Sequence, residues 1–117
     1  YLLLQAKIVQ TEAYMIGQLR IYTVNKGMMD SWLKLFKEEI APYVKEMGMG
    51  IETAWVNEEH SQFIWIRTYE DKSDIEVKEK AFYGSEWWEE NVGRIRGHLA
   101  HRDITVIEPI SLYSSVT

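Results

Sequence analysis

The segment Phe63-Ile64-Trp65-Ile66-Arg67-Thr68-Tyr69 most strongly constrains how this chain folds. Its alternating pattern predicts a β-strand, in which successive side chains point to opposite faces of the sheet. One face then carries Phe63, Trp65, Arg67 and Tyr69, and the other carries Ile64, Ile66 and Thr68. Aromatic rings on one face and isoleucines on the other predict that both faces are buried. The aromatic face with its guanidinium is typical of a pocket wall or of a dimer interface.

The order of the predicted elements indicates an α+β fold. Strands are predicted over residues 18–25, 51–57, 62–70 and 104–107. Helical spacing covers residues 29–47, with a kink expected at Pro42, and residues 75–98, with a break at Gly84 and an N-cap at Ser85. This βαββαβ order is that of the ferredoxin-like split βαβ fold, an antiparallel sheet with both helices on one face.

Nothing in the sequence pattern covers the second face of this sheet. The simplest way to bury its apolar residues is to pack it against a second copy of the same sheet, which gives a C2 homodimer. We therefore expect a dimeric α+β barrel, with the chain itself as its own partner.

Composition excludes several classes of function. The net charge of -5 argues against nucleic acid and anionic membrane surfaces, both of which require a basic patch. We therefore expect no nucleic-acid partner. The 117 residues include no cysteine, so disulfides and thiolate metal sites are excluded. No apolar run approaches the roughly 20 residues that span a bilayer, so membrane insertion is not expected and a cytoplasmic location is predicted.

The 117-residue chain has the length of one domain, which we place at residues 16–110. Residues 1–15 and 111–117 are expected to be terminal extensions, either peripheral or added to the natural sequence, although alternation within 2–14 also fits a strand.

Four segments resemble the NIPSNAP family of the dimeric α+β barrel superfamily. They are Gln18-Leu19-Arg20-Ile21-Tyr22-Thr23, Ala54-Trp55-Val56, the 63–69 strand, and Phe82-Tyr83-Gly84-Ser85-Glu86-Trp87. The resemblance implies the fold and the dimer, but the family has no well-defined biochemical activity. Related barrels include monooxygenases, haem-degrading and haem-dependent enzymes and small-molecule isomerases, which share no common catalytic set.

Arg20 and Arg67 are the strongest candidates for a functional role. If the first and third strands are neighbours, both guanidiniums can meet on one face and bind a carboxylate, phosphate or enolate oxygen. The alternative is that each arginine pairs with an acid such as Glu108, or stacks on a tryptophan, and is only structural.

The leading hypothesis is a protein that binds a small molecule without a required cofactor. The expected ligand-binding residues are Arg20, Tyr22, Trp55, Trp65, Arg67, Tyr69, Tyr83 and Trp87. In a second hypothesis the protein is a monooxygenase or isomerase, in which Arg67 or Arg20 stabilises an oxyanion and Tyr22, Tyr69 or Tyr83 moves a proton. A third is a structural or interaction dimer without a pocket.

Two weaker signals each have a simple structural explanation. The helix start at Gly84-Ser85 could hold an anion, but ordinary capping with Trp87 packed in the core is favoured. His60, His98 and His101 lack the spacing of a metal site, so no metal is predicted, and His98 is expected near a helix C-terminus.

Overall fold

A computed structural model describes residues 15–112. Its four strands are β1 (Ile16–Val24), β2 (Gly50–Val56), β3 (Gln62–Tyr69) and β4 (Leu99–Ile107). They form one sheet in the order β2-β3-β1-β4, and every neighbouring pair is antiparallel. The predicted α+β, ferredoxin-like architecture is confirmed. The strand suggested within residues 2–14 lies outside the described residues, as does most of both proposed extensions.

The first helical region is continuous but changes its winding ahead of Pro42. Helix α1 (Met29–Leu35) passes into a π-helical turn, Phe36–Ile40, and then into α2 (Ala41–Glu46). Proline lacks an N–H and its ring collides with the carbonyl four residues earlier, so a wider turn just before it relieves the clash. The disturbance that the sequence predicted as a kink therefore takes the form of a π-helical turn. Gly48, in the left-handed region at φ +87°, follows the helix end.

The second helical region is two helices with separate caps. Helix α3 (Lys72–Tyr83) begins after Asp71, whose side chain accepts a hydrogen bond from the Asp74 N–H at 2.9 Å. Helix α4 (Glu86–Arg96) begins after Ser85, whose hydroxyl accepts from the Trp88 N–H at 3.1 Å. The predicted cap at Ser85 is confirmed, and capping accounts for the local sequence without a bound anion.

Both helical regions pack on one face of the sheet, which we call the inner face. Trp32 and Phe36 from the first region, and Phe82 from the second, join one buried cluster with Tyr22 and Trp65 of the strands. Phe36 lies 5.0 Å from Trp65 between ring centroids, close enough for an edge-to-face contact.

The opposite, outer face carries an apolar surface. Leu19 lies opposite Ile66 and Ile21 opposite Ile64 in the register of β1 and β3, and all four are partly exposed. Trp55 of β2, opposite Ile64, is 64% exposed.

Strand β4 begins earlier than predicted. Its N-terminal half, from Leu99 to Asp103, falls between the predicted helix, which ends near residue 98, and the predicted strand, which begins at residue 104. This strand lies at the sheet edge, and nearly all of its residues are exposed. An exposed edge strand needs no apolar alternation, so the signal used for the other strands was absent there.

Within residues 15–112, no helix is both long enough and apolar enough to cross a membrane. The cytoplasmic location stays a prediction.

Candidate functional site

Arg20 and Arg67 lie side by side on the inner face. The register pairs Arg20 with Trp65 and Gln18 with Arg67, which brings the two arginines onto one face of neighbouring strands. Their exposed fractions are only 2% and 1%. Burying a guanidinium costs free energy unless it is paired and hydrogen-bonded, so the partners of these two arginines are the main question about the site.

Both guanidiniums share one carboxylate, that of Glu79 on α3. One oxygen of Glu79, Oε2, lies 3.2 Å from Arg20 Nη2 and 2.8 Å from Arg67 Nη2. The same oxygen accepts a hydrogen bond from the Gln18 amide at 3.1 Å. Glu108, suggested from the sequence as a partner, is exposed and makes no ion pair among the described residues. The pairing prediction was right in kind and wrong in the residue.

A set of tyrosine hydroxyls surrounds the two arginines. Arg20 donates to the Tyr22 hydroxyl at 2.7 Å, and Arg67 donates to that of Tyr69 at 2.8 Å. The Tyr83 hydroxyl accepts from both, at 3.2 Å from Arg20 and 3.1 Å from Arg67. Among residues 15–112, none accepts a hydrogen bond from Arg67 Nη1.

Trp65 forms the floor beneath this charge cluster. The guanidinium carbons of Arg20 and Arg67 each lie 5.7 Å from its ring centroid, within the range of cation–π attraction. Stacking on a tryptophan, the second part of the structural alternative, is therefore present.

The pKa values of two tyrosines beside the arginines, Tyr83 and Tyr69, are shifted in opposite directions. Burial alone would raise the pKa of Tyr83, but the charges of Arg20 and Arg67 outweigh burial and hold that pKa below its usual value of about 10. For Tyr69 burial prevails and raises the pKa to about 12. Burial would lower the pKa of Arg20, but its tyrosine contacts, Tyr22 foremost, together have the larger and opposite effect. The pKa of Arg20 is therefore raised, and Arg20 stays a cation.

A small cavity of about 30 Å³ opens beside this cluster, between the helices and the sheet. Apolar side chains form most of its wall, among them Trp32, Ile40, Phe82 and Ile95. The polar residues of its lining are Arg20, Arg67, Arg96, Arg102, Tyr22 and Tyr83. In the part of the chain that the structure describes, no acidic side chain lines it.

Two buried donors of the wall have no acceptor. The indole nitrogens of Trp32 and Trp65 are buried without a hydrogen-bond partner among the described residues. Unpaired buried N–H groups are rare in proteins and cost free energy.

The structure brings together six of the eight predicted ligand-binding residues and separates two. Arg20, Tyr22, Trp65, Arg67, Tyr69 and Tyr83 belong to the charge cluster or the cavity wall. Trp55 projects from the outer face. Trp87 instead stacks on Tyr43, with ring centroids 4.2 Å apart, and does not line the cavity.

Several residues of the site were missed from sequence. Gln18 stands two residues before Arg20 and so shares its face, which was a usable signal. Glu79 follows Ile75 by four residues and precedes Phe82 by three, so it falls on the apolar stripe of α3. A charged residue on a buried stripe was the signal for it. No comparable sequence signal identifies Arg96 and Arg102 as residues that line the cavity.

His98 is buried at the end of α4 and is fully hydrogen-bonded. Its Nδ1 lies 2.8 Å from the Arg94 carbonyl and its Nε2 lies 2.8 Å from the Ser31 hydroxyl. Across residues 15–112, no group of three or more His, Cys, Asp or Glu is arranged to hold a metal ion.

A NIPSNAP family model matches residues 17–112. The chain belongs to the NIPSNAP family. A search of curated proteins found no match. Solved structures of low sequence identity share the fold.

An Agrobacterium tumefaciens NIPSNAP family protein is 22% identical, with 85% of this chain and 89% of that chain covered and a TM-score of 0.75. An uncharacterized NIPSNAP-like domain protein from Burkholderia xenovorans is 18% identical, with 86% and 89% covered and a TM-score of 0.78. SnoaB, a cofactor-independent oxygenase from Streptomyces nogalater, is 10% identical, with 87% and 99% covered and a TM-score of 0.66. At these identities the likeness concerns the fold alone.

Proposed function

We propose that this NIPSNAP family protein binds a small molecule in the cavity between its helices and its sheet. The observation that carries the proposal is the burial of Arg20 and Arg67 beside that cavity with only one carboxylate between them. Replacing a buried ion cluster by apolar residues often leaves a protein equally or more stable. A buried cluster beside a cavity is therefore better explained by a ligand than by stability.

The size of the cavity limits how the ligand sits. Pockets that enclose a whole drug-sized ligand have volumes of roughly 300–1,000 Å³, which is ten times the 30 Å³ found here or more. The enclosed space accepts one polar group of a ligand. The rest of the ligand would extend toward the less buried part of the wall, where Trp88, Leu99, Arg96 and Arg102 lie.

We further propose that the protein is a homodimer in which two outer faces pack together. Leu19, Ile21, Ile64 and Ile66 form the centre of that face. Apolar side chains on both faces of β1 and β3 support a second layer over the outer face, and C2 pairing supplies it with the same residues.

Ligand binding is tested by native mass spectrometry of the purified protein and by thermal-shift screening of a metabolite library. We expect a co-purified or library ligand to raise the unfolding temperature, and Arg67→Gln to abolish that shift. Arg94→Gln is the matched control, because it removes the same charge from an exposed arginine that pairs with Glu39 outside the cavity. A screen with no stabilising ligand would favour the interaction dimer without a functional pocket.

A second candidate is an enzyme of the α+β barrel monooxygenase or isomerase type. The lowered pKa of Tyr83 favours it, since a tyrosine that ionises more readily between two guanidiniums suits proton transfer. SnoaB-like oxygenases share the fold. With a ligand in hand, an enzyme predicts that Tyr83→Phe lowers turnover while ligand affinity holds, whereas a pure binding protein shows no turnover to lose.

A further inference from the structure

The charge balance of the cavity indicates which kind of ligand it takes. Arg20 and Arg67 bring two positive charges, and Glu79 brings one negative charge to the same cluster. Two cations therefore share one anion, and one positive charge of this cluster is left unbalanced within the described residues. A low-dielectric setting makes that imbalance expensive, so an additional anion would be favoured there.

The hydrogen-bond inventory leads to the same conclusion. Arg67 Nη1 has no hydrogen-bond acceptor among the residues described, and Arg67 lines the cavity. Arg96 and Arg102 extend the positive wall toward solvent, and the cavity has no acidic residue in the described part of its lining. Such a wall repels cations and offers neutral ligands more donors than they need.

We propose that the ligand is a monoanion with an apolar body, whose carboxylate binds Arg67 and Arg20 beside Glu79. This inference rests on the proposed function and adds the chemical class of the ligand. The planar fork of a guanidinium matches a carboxylate, and a single negative charge balances the surplus of the buried cluster of Arg20, Arg67 and Glu79. The apolar body suits the remaining wall, where Trp88, Ile95 and Leu99 lie.

Glu79 then acts as an internal competitor. Its carboxylate holds the arginines in place when the site is empty, but it also repels an incoming carboxylate. Glu79→Gln keeps the shape and one oxygen acceptor while removing the repulsion. The anion should therefore bind more tightly to this variant, which is the opposite of what loss of a contact would do.

The test titrates the full chain with benzoate, with benzamide as its neutral isostere and with inorganic phosphate, using tryptophan fluorescence. We expect measurable binding of benzoate and at least tenfold weaker binding of benzamide and phosphate. Glu79→Gln should tighten benzoate binding about tenfold, given the short charge separation and the partial exposure of Glu79. Glu39→Gln, which removes a carboxylate outside the cavity, should leave it unchanged.

Arg102→Gln serves as a second variant because this exposed side chain lines the cavity and its loss does not endanger folding. It should weaken benzoate binding about threefold, while Arg94→Gln has no effect. The inference is overturned if benzamide binds as well as benzoate, if phosphate binds more tightly, if neither organic probe binds, or if Glu79→Gln weakens benzoate. If the library screen then finds a neutral ligand that stabilises the protein, the proposed function holds and only the monoanion inference fails. If the screen finds no ligand at all, both the proposed function and the monoanion inference fail.

Discussion

At the scale of single residues, neighbouring side chains decide what each polar group of the site can do. Two tyrosines a few ångströms from the same arginines differ in the direction of their pKa shifts. Tyr83 accepts hydrogen bonds from both guanidiniums, whereas Tyr69 lies deeper in the hydrogen-bonded network and donates to Gln18 at 2.8 Å. The same chemical group therefore ionises more easily at one position and less easily at the other.

The pKa shifts predict the order in which these tyrosines ionise. In an alkaline titration followed by tyrosinate absorbance, Tyr83→Phe should remove an early step, below pH 10. Tyr69→Phe should remove a late step near pH 12. Loss of the same step in both variants would contradict the assignment.

These shifts also set the sign of stability against pH. Because the pKa of Tyr83 is lower in the folded state, its contribution rises as pH increases through that value toward 10. The pKa of Tyr69 is raised, so its contribution is complete below pH 10 and is lost between pH 10 and about 12. The Tyr69→Phe variant should lose less free energy of unfolding than the parent over that upper window.

At the scale of elements, caps and breaks locate the helices that position the site. Helix α3 presents Glu79 to the arginines, and α4 supplies Trp88 and Arg96 to the cavity wall. Ser85 separates the two helices. It caps α4 and also donates from its hydroxyl to the Phe82 carbonyl at 2.7 Å, near the end of α3.

Ser85→Ala should lower the free energy of unfolding by about 1 kcal/mol, the usual cost of a lost N-cap. Chemical denaturation measures the change. Ser85→Thr is the matched variant, since its hydroxyl can still accept from Trp88 and donate to Phe82, and it should retain most of the stability. Equal losses in both variants would show that the hydroxyl contacts contribute little.

At the scale of the whole molecule, the two faces of the sheet differ in what covers them. The inner face is filled by the core and the charge cluster, while the outer face presents apolar residues. Trp55 lies on the outer face, so it can contribute to the proposed dimer interface and not to the cavity.

The proposed dimer predicts that Trp55→Glu weakens self-association by at least about 30-fold, which corresponds to the ~2 kcal/mol typical of an aromatic interface anchor. Sedimentation or light scattering over a concentration series measures it. Val77→Glu is the matched control, because Val77 is 65% exposed against 64% for Trp55 but lies on helix α3. A parent protein that stays monomeric at micromolar concentration would contradict the proposed barrel.

The sequence by itself determined the element order, the fold class and which residues share a strand face with Arg67, because the periods of strands and helices are local properties of the chain. Only the structure showed that this face is the one that the helices cover. The sequence also supported the resemblance to the NIPSNAP family. It did not locate the start of β4, since an exposed edge strand has no apolar alternation. Only the tertiary structure showed that both arginines pair with Glu79. It also showed that Trp55 and Trp87 lie away from the cavity and that Arg96 and Arg102 line it. Those contacts join residues distant in the chain, and such pairings arise from packing, which local sequence patterns do not encode.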